Sequence, residues 1–238
     1  MTKDNIILTI TGSDSTAGSG IQADITTITA LGGRAVSAIT SITVQTSLGI
    51  QEFYDVPADI VEGQIEAAMN DAEPQTVKIG MIRSLDTLDV IIRVLQRYKP
   101  RNIIFDQITT SALGDTLVPT NVAKATERFL LPLCTLVLRR EDSTFHGQAN
   151  HYASAVAVFM AQGFSADEAQ QKAREYINTQ VARSATDQSR SAELYNHFID
   201  LVEANYRHNS DVHYYARRMN VSPRYLAQVT KRISGKAP

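Results

Sequence analysis

Two stretches of this chain carry residues whose types and spacing could do chemistry. From Thr9 to Asp24 it reads TITGSDSTAGSGIQAD. Gly12, Gly18 and Gly20 allow a sharp bend and a close approach to a ligand, and a helix starting behind them would offer free backbone N–H groups to polar or anionic atoms. No Gly-Lys-Ser/Thr follows, so this is not a Walker loop, and taken alone it fits a structural tight turn equally well. Gln45, Met81 in KIGM and Asp106 in IIFD stand where apolar, β-branched runs end. An amide such as Gln45 offers a donor and an acceptor to a planar heterocycle. Met81 would give an adaptable apolar wall, though a methionine there also suits plain core packing. The second stretch, Asp211 to Gly235, reads DVHYYARRMNVSPRYLAQVTKRISG. Val212, Tyr215, Ala216 and Met219 form one apolar stripe. Ser222 and Pro223 open a second helix whose buried face is Leu226, Val229 and Ile233. That is a helix-turn-helix pattern, the alternative being a helical hairpin that merely packs on the body.

The elements that must position these residues alternate in type. Strands are expected at Ile6–Thr11, Ala35–Val44, Thr76–Met81, Asn102–Asp106 and Thr135–Leu138, with helices at Ile21–Leu31, Pro57–Asn70, Ser84–Tyr98 and Asn121–Leu130. Such alternation argues for an α/β fold, a parallel sheet covered by helices on both faces. In such sheets ligands bind beyond the carboxyl ends of the strands, where Gln45, Met81 and Asp106 would converge. After Arg140 the pattern is helical only: His151–Gln162, Ser165–Ser184, Ser191–Tyr206, then the basic pair. The turn-rich NYRHNSD places the boundary near Tyr206–Ser210, giving a ligand-binding domain at 1–206 and a small all-α segment at 207–238.

Composition agrees with a folded protein. The chain has 238 residues, 43% of them apolar, enough to bury a core and add one small appendage. A lone Cys134, the lack of a signal-peptide pattern and the absence of an 18-residue apolar window point to the cytoplasm and away from a membrane. The net charge of −2 hides an asymmetry. From Asn205 to Pro238 seven Lys or Arg face the single acid Asp211, a net +6 that leaves −8 on the rest. An acidic body with a basic tail suggests that only the tail meets a polyanion, a solvated helix face being the plain alternative.

The blocks GSDSTAGSGIQADITTITALG, SITVQTSLGI, KIGM and IIFDQITTSALGD resemble the hydroxymethylpyrimidine and phosphomethylpyrimidine kinases of thiamine biosynthesis, in the ribokinase superfamily. Order and spacing match from about Ile6 to Leu138, and more loosely from His146 to Ile199. The resemblance implies a ribokinase-like sheet and a pyrimidine pocket formed by Gly12, Ser19, Asp24, Val44, Gln45, Met81 and Ile108. The tail VSPRYLAQVTKRISGKAP resembles the first helix-turn-helix of AraC-type regulators. That implies DNA contacts from Arg224, Gln228, Lys231 and Arg232 in half of the usual tandem reader.

Departures from the kinase pattern gather at its catalytic end. The strand after Thr135 runs into LRREDSTFHG, and the nucleotide-binding strands of the family have no counterpart, so the domain reads as truncated. In HGQANHYASA, Asn150 replaces the family's base and Ala149 a glycine of its anion hole, while Ala112 stands where the family has a lysine. An amide cannot accept a proton at neutral pH. These departures lead to the expectation of a pyrimidine-sensing transcription regulator, a homodimer built on an inactive kinase-like domain and controlling thiamine-related genes. It would have no catalytic residue, metal ligand or cofactor, and its partners would be hydroxymethylpyrimidine, or a related thiamine precursor, and DNA. The alternative is an active kinase using ATP and magnesium, or a pyridoxal-type kinase relative.

Overall fold

The computed structural model describes residues 5–46, 49–110, 116–139 and 148–236, with the side chains at 46, 49, 148–149, 181–190 and 232 outside that description. Two compact units divide the chain, 1–177 and 178–238.

The first unit is a ribokinase-like α/β fold around a six-stranded sheet ordered β3-β2-β1-β4-β5-β6. Strand β1 (Ile6–Ser13) pairs in parallel with β2 (Arg34–Thr46) on one side and β4 (Thr76–Ile79) on the other. Strands β5 (Asn102–Gln107) and β6 (Leu136–Arg139) continue in parallel. The chain therefore reverses its direction of winding between β1 and β4, the place where a crevice opens at the carboxyl edge.

Strand β3 (Gly49–Asp55) departs from the expected all-parallel sheet, since it runs back antiparallel to β2, Thr43 facing Phe53. Its sequence GIQEFYD is polar because it lies at the sheet edge with most of its side chains exposed, so it carries no buried apolar run.

Helices cover both faces. Helices α2 (Ala58–Ala72) and α3 (Leu85–Tyr98) bury Val61, Ile65, Leu88 and Ile91 against Leu8, Ile10 and Ile79. Helices α1 (Gly20–Ala30) and α5 (Gln148–Ala161) close the other face on Ile7, Ile104 and Leu138, with Ile28 and Val156 at the contact. Because both faces are covered, β1 is buried along nearly its whole length, which is why IILTI is apolar with threonines rather than alternating with charges. Helix α4 (Thr120–Ala125) widens into a π turn at Thr126–Leu130 and tightens into a 3-10 turn at Leu131–Leu133, where Pro132 ends it.

The two helices expected at Ser165–Ser184 and Ser191–Tyr206 form one continuous helix, α6 (Ala166–Asn205). The stretch SATDQSRS has weak helix formers but no Gly or Pro, so nothing in it breaks the backbone ladder. In the second unit Phe198 of α6 packs edge-on against Tyr215 of α7 (Val212–Arg218) at 5.7 Å, with Ala216 and Leu226 of α8 (Pro223–Ser234) completing the core. The unit thus takes in the end of α6, and the boundary expected at 206 falls inside it. Asp211 and Ser222 cap α7 and α8, and Asn220 in the left-handed region makes the turn between them. Among the described residues no helix is long and apolar enough to cross a membrane.

Candidate functional site

At the carboxyl end of β1 the chain turns around Asp14. One carboxylate oxygen accepts from the Thr16 N–H and hydroxyl, the other from the Ser19 N–H and hydroxyl, each at 2.8 Å. Gln22 ties the loop to α1, accepting from the Asp14 N–H at 3.0 Å and donating to Ser13 Oγ at 2.7 Å. Two glycines are required by contact. A Cβ on Gly20, which sits at φ +60, would stand 2.3 Å from the Gly12 carbonyl oxygen. A Cβ on Gly12 would stand 2.6 Å from Met81 Cε and 2.8 Å from Ser41 Oγ.

That second approach, where the missing side chain of Gly12 leaves a recess filled by Met81 and Ser41, borders an apolar cluster. Met81, Ile108 and Leu117 are buried together, with Ile50, Phe53 and Val118 packed around them. Its backbone is pinned from two sides. The Met81 N–H donates to Thr11 Oγ1 at 3.0 Å, and the Thr40 hydroxyl donates to the Met81 carbonyl at 2.9 Å. Arg83 lies 3.6 Å over the Phe53 ring, pairs with Asp55 at 3.1 Å and donates to the Leu117 carbonyl, which holds the edge strand against the recess. Gln45, at the rim, donates through Nε2 to Thr16 Oγ1 and accepts through Oε1 from Thr43, both at 3.2 Å. Its amide is thereby oriented towards the glycine loop.

Between the sheet and helices α1 and α5 lies a buried charged cluster. Lys78 Nζ donates to both oxygens of Asp24 at 2.9 Å, and both side chains are 0% exposed. Asp24 also accepts from Thr9 Oγ1 and from Ser154 Oγ at 2.8 Å, and Asp106 Oδ2 stands 3.8 Å from Lys78 Nζ. His151 of α5 adjoins the cluster, its Nδ1 sharing a hydrogen bond with Thr27 Oγ1 at 2.6 Å. Burial pushes the His151 pKa below its ordinary 6.5; the Asp24 charge opposes this and the Lys78 charge adds to it.

The structure brings Gly12, Met81, Ile108 and Gln45 to one edge of the sheet, with Ser19 behind Asp14 at the start of α1. It does not bring Asp24 there, because that carboxylate is enclosed with Lys78. Val44 points away, its side chain 52% exposed. Asn150 is buried in the first turn of α5, Ala112 and His146 lie outside the described residues, and the side chains of Ala149 and Arg232 are likewise outside them. Arg224, Gln228 and Lys231 are all exposed, at positions that share one side of α8, while Leu226 and Val229 are buried.

Sequence reasoning missed Asp14, Ser41, Lys78 and Ser154. A lysine inside the apolar strand TVKI was the available signal for Lys78, since a buried charge needs a partner. Ser41 gave none, being a small polar residue in a long strand.

The family model described as phosphomethylpyrimidine kinase matches residues 14–139. The hydroxymethylpyrimidine/phosphomethylpyrimidine kinase of Escherichia coli strain K12 is 35% identical over 130 residues, 55% of this chain and 49% of that one. The chain spans about half the length of the curated relatives it matches. Phosphomethylpyrimidine kinase from Clostridium difficile 630 superposes with TM-score 0.67 at 24% identity, covering 74% of this chain and 99% of that one. An ADP complex of Bacillus subtilis pyridoxal kinase superposes with TM-score 0.64 at 18% identity, covering 73% and 90%.

These findings correct two expectations. The reading as a transcription regulator is overturned, because the matching relatives are named as kinases and the matched block is the kinase block. The expectation of no cofactor falls with it, since it rested on that reading and the relatives are phosphoryl-transfer proteins by name, one of them held with ADP. Both errors share a physical cause. Asn150 and the departures after β6 are local, whereas the four matching blocks run through most of the sheet.

The half-buried His151 makes a stability prediction. Its folded pKa is depressed, so the unfolded chain binds the proton first as pH falls below about 6.5, and the folded state loses stability there. Urea midpoints of the wild type and His151→Gln across pH 5 to 8 should run parallel above pH 7. Below pH 6.5 the wild type should fall more steeply. Parallel curves throughout would contradict the burial argument.

Proposed function

Because the chain belongs to the phosphomethylpyrimidine kinase family, we propose that it binds a hydroxymethylpyrimidine in the recess and serves phosphoryl transfer from ATP to that substrate's hydroxymethyl or phosphomethyl oxygen. The observation that carries this reading is the meeting of Gly12, Met81, Ile108 and Gln45 at the switch point of the sheet. Met81 and Ile108 would hold the faces of the flat ring. The Gln45 amide, already turned inward, would exchange Thr16 and Thr43 for ring nitrogen or amino groups.

The described residues do not by themselves make a magnesium site: Asp106 is buried beside Lys78, and no cluster of metal-ligating side chains stands among them. The start of α5 supplies backbone N–H groups suited to a phosphoryl oxygen. Transfer of this kind is almost entirely positioning and electrostatics, so an amide at Asn150 slows the reaction without abolishing it. The substrate oxygen would form its bond to the γ-phosphorus as the bridging oxygen leaves with ADP, and the hydroxyl proton would pass to solvent.

The exposed side of α8 supports a second activity for the tail. Arg224, Gln228 and Lys231 stand free of the Leu226–Val229 face, on a strongly basic segment, and suit contact with duplex DNA. One such helix pair buries little surface, so two copies acting together would bind far better than one.

Incubation with ATP, magnesium and hydroxymethylpyrimidine should yield the phosphate ester slowly, below the common enzyme median of about 10 per second. Asn150→Asp, which restores a proton acceptor, should raise kcat by roughly 10²- to 10⁴-fold. No ester from either protein would contradict the kinase reading.

For the tail, anisotropy titration of a labelled duplex should show affinity falling with salt. Lys231→Ala should lower the log–log salt slope by about one. Salt-independent binding, or none, would contradict it.

A further inference from the structure

The recess contains one polar group that the contacts above leave unexplained. Ser41 is wholly buried on β2, and among the described residues its Oγ is the one buried side-chain hydroxyl without a hydrogen-bond partner. Its neighbours are all engaged. Thr9 donates to Asp24, Thr11 accepts from the Met81 N–H, Thr40 donates to the Met81 carbonyl, and Thr43 donates to the Ser13 carbonyl.

An enclosed hydroxyl without a partner destabilises the fold relative to a paired one, and alanine would fill nearly the same space without that cost. What lies over Ser41 narrows its use. A Cβ on Gly12 would meet only Met81 Cε and Ser41 atoms within 3.5 Å, so the hydroxyl and the methionine methyl share the space left by the missing side chain. Met81 is unbranched with three rotatable bonds, so its methyl can leave that space while its backbone stays pinned to Thr11 and Thr40.

We propose that Ser41 is the concealed polar contact of this recess. When a flat heteroaromatic ring enters, the Met81 thioether swings aside and the Ser41 hydroxyl hydrogen-bonds an amino or hydroxyl substituent of the ring. The proposal rests on the recess being the ring site, and it assigns to Ser41 the discrimination between rings that carry such a substituent and rings that do not. A site built to pair a polar group rejects an analogue lacking it more strongly than an apolar wall does.

Isothermal titration on the full chain tests this with three probes: hydroxymethylpyrimidine, the analogue without its amino group and the analogue without its hydroxyl. Ser41→Ala should bind hydroxymethylpyrimidine about 10- to 100-fold more weakly than the wild type. It should match the wild type on the analogue that lacks the contacted group. Its melting temperature without ligand should equal or exceed that of the wild type, since an unpaired hydroxyl has been removed. Equal affinities of the two proteins for hydroxymethylpyrimidine would overturn the proposal and leave the site reading intact. A marked fall in the melting temperature of Ser41→Ala would overturn it by showing a structural hydroxyl. Failure of the wild type to bind any of the three would overturn the site reading, and this proposal with it.

Discussion

The constraint on which the rest of the structure depends is the charge of Lys78 inside the sheet. An unpaired ammonium there would cost far more than the fold could bear, and removing one partner of a buried pair typically costs about 3 to 5 kcal/mol. The chain answers with Asp24 from α1, held in turn by Thr9 from β1 and Ser154 from α5, and with Asp106 from β5. Five elements thus meet at one ion cluster. Moving α1 by an ångström would strand a charge, and α5 is tied to the same carboxylate through Ser154. The glycine loop precedes α1 directly, and Gly80 and Met81 follow the short strand that carries Lys78. The ion cluster and the recess are thus built from adjoining residues of the same segments.

That division of labour explains what the sequence disclosed. The sheet and its covering helices were legible because burial on both faces writes apolar, β-branched runs, as in β1. Gly12, Gln45, Met81 and Ile108 were legible through motif and strand ends. Asp24 was read as a ligand contact because a resemblance conveys which positions matter but not which way a side chain points. Only the register of α1 over Lys78 turns it inward. Strand β3 went unread because an edge strand does not need to alternate, and α6 was divided because serines weaken a helix without ending it. Ser41 and Asp14 were invisible for a different reason. Their roles depend on a neighbour brought close by the fold, Gly12 in one case and Ser19 in the other.

The corrected function teaches a related lesson about weight. Asn150 is one local departure, whereas the proposed ring site draws on four separate segments, those of Gly12, Gln45, Met81 and Ile108. Phosphoryl transfer tolerates this better than acid–base chemistry, since it asks the protein chiefly to place charges and reactants. Family membership therefore rests on the block spanning 14–139, which includes β2, β4 and β5, whereas α5 lies beyond it.

The central claim is that the ring enters beside Met81. Methyl-labelled methionine gives separate reporters at Met81 in the recess, Met69 and Met160 in the two helix-facing cores, and Met219 in the second unit. Titrating hydroxymethylpyrimidine into labelled protein and following the methyl resonances reads all of them at once. The account predicts a saturable shift of the Met81 methyl, with Met69, Met160 and Met219 essentially unmoved. A Met81 resonance that stays in place at saturating ligand, or a shift confined to another methionine, would contradict it.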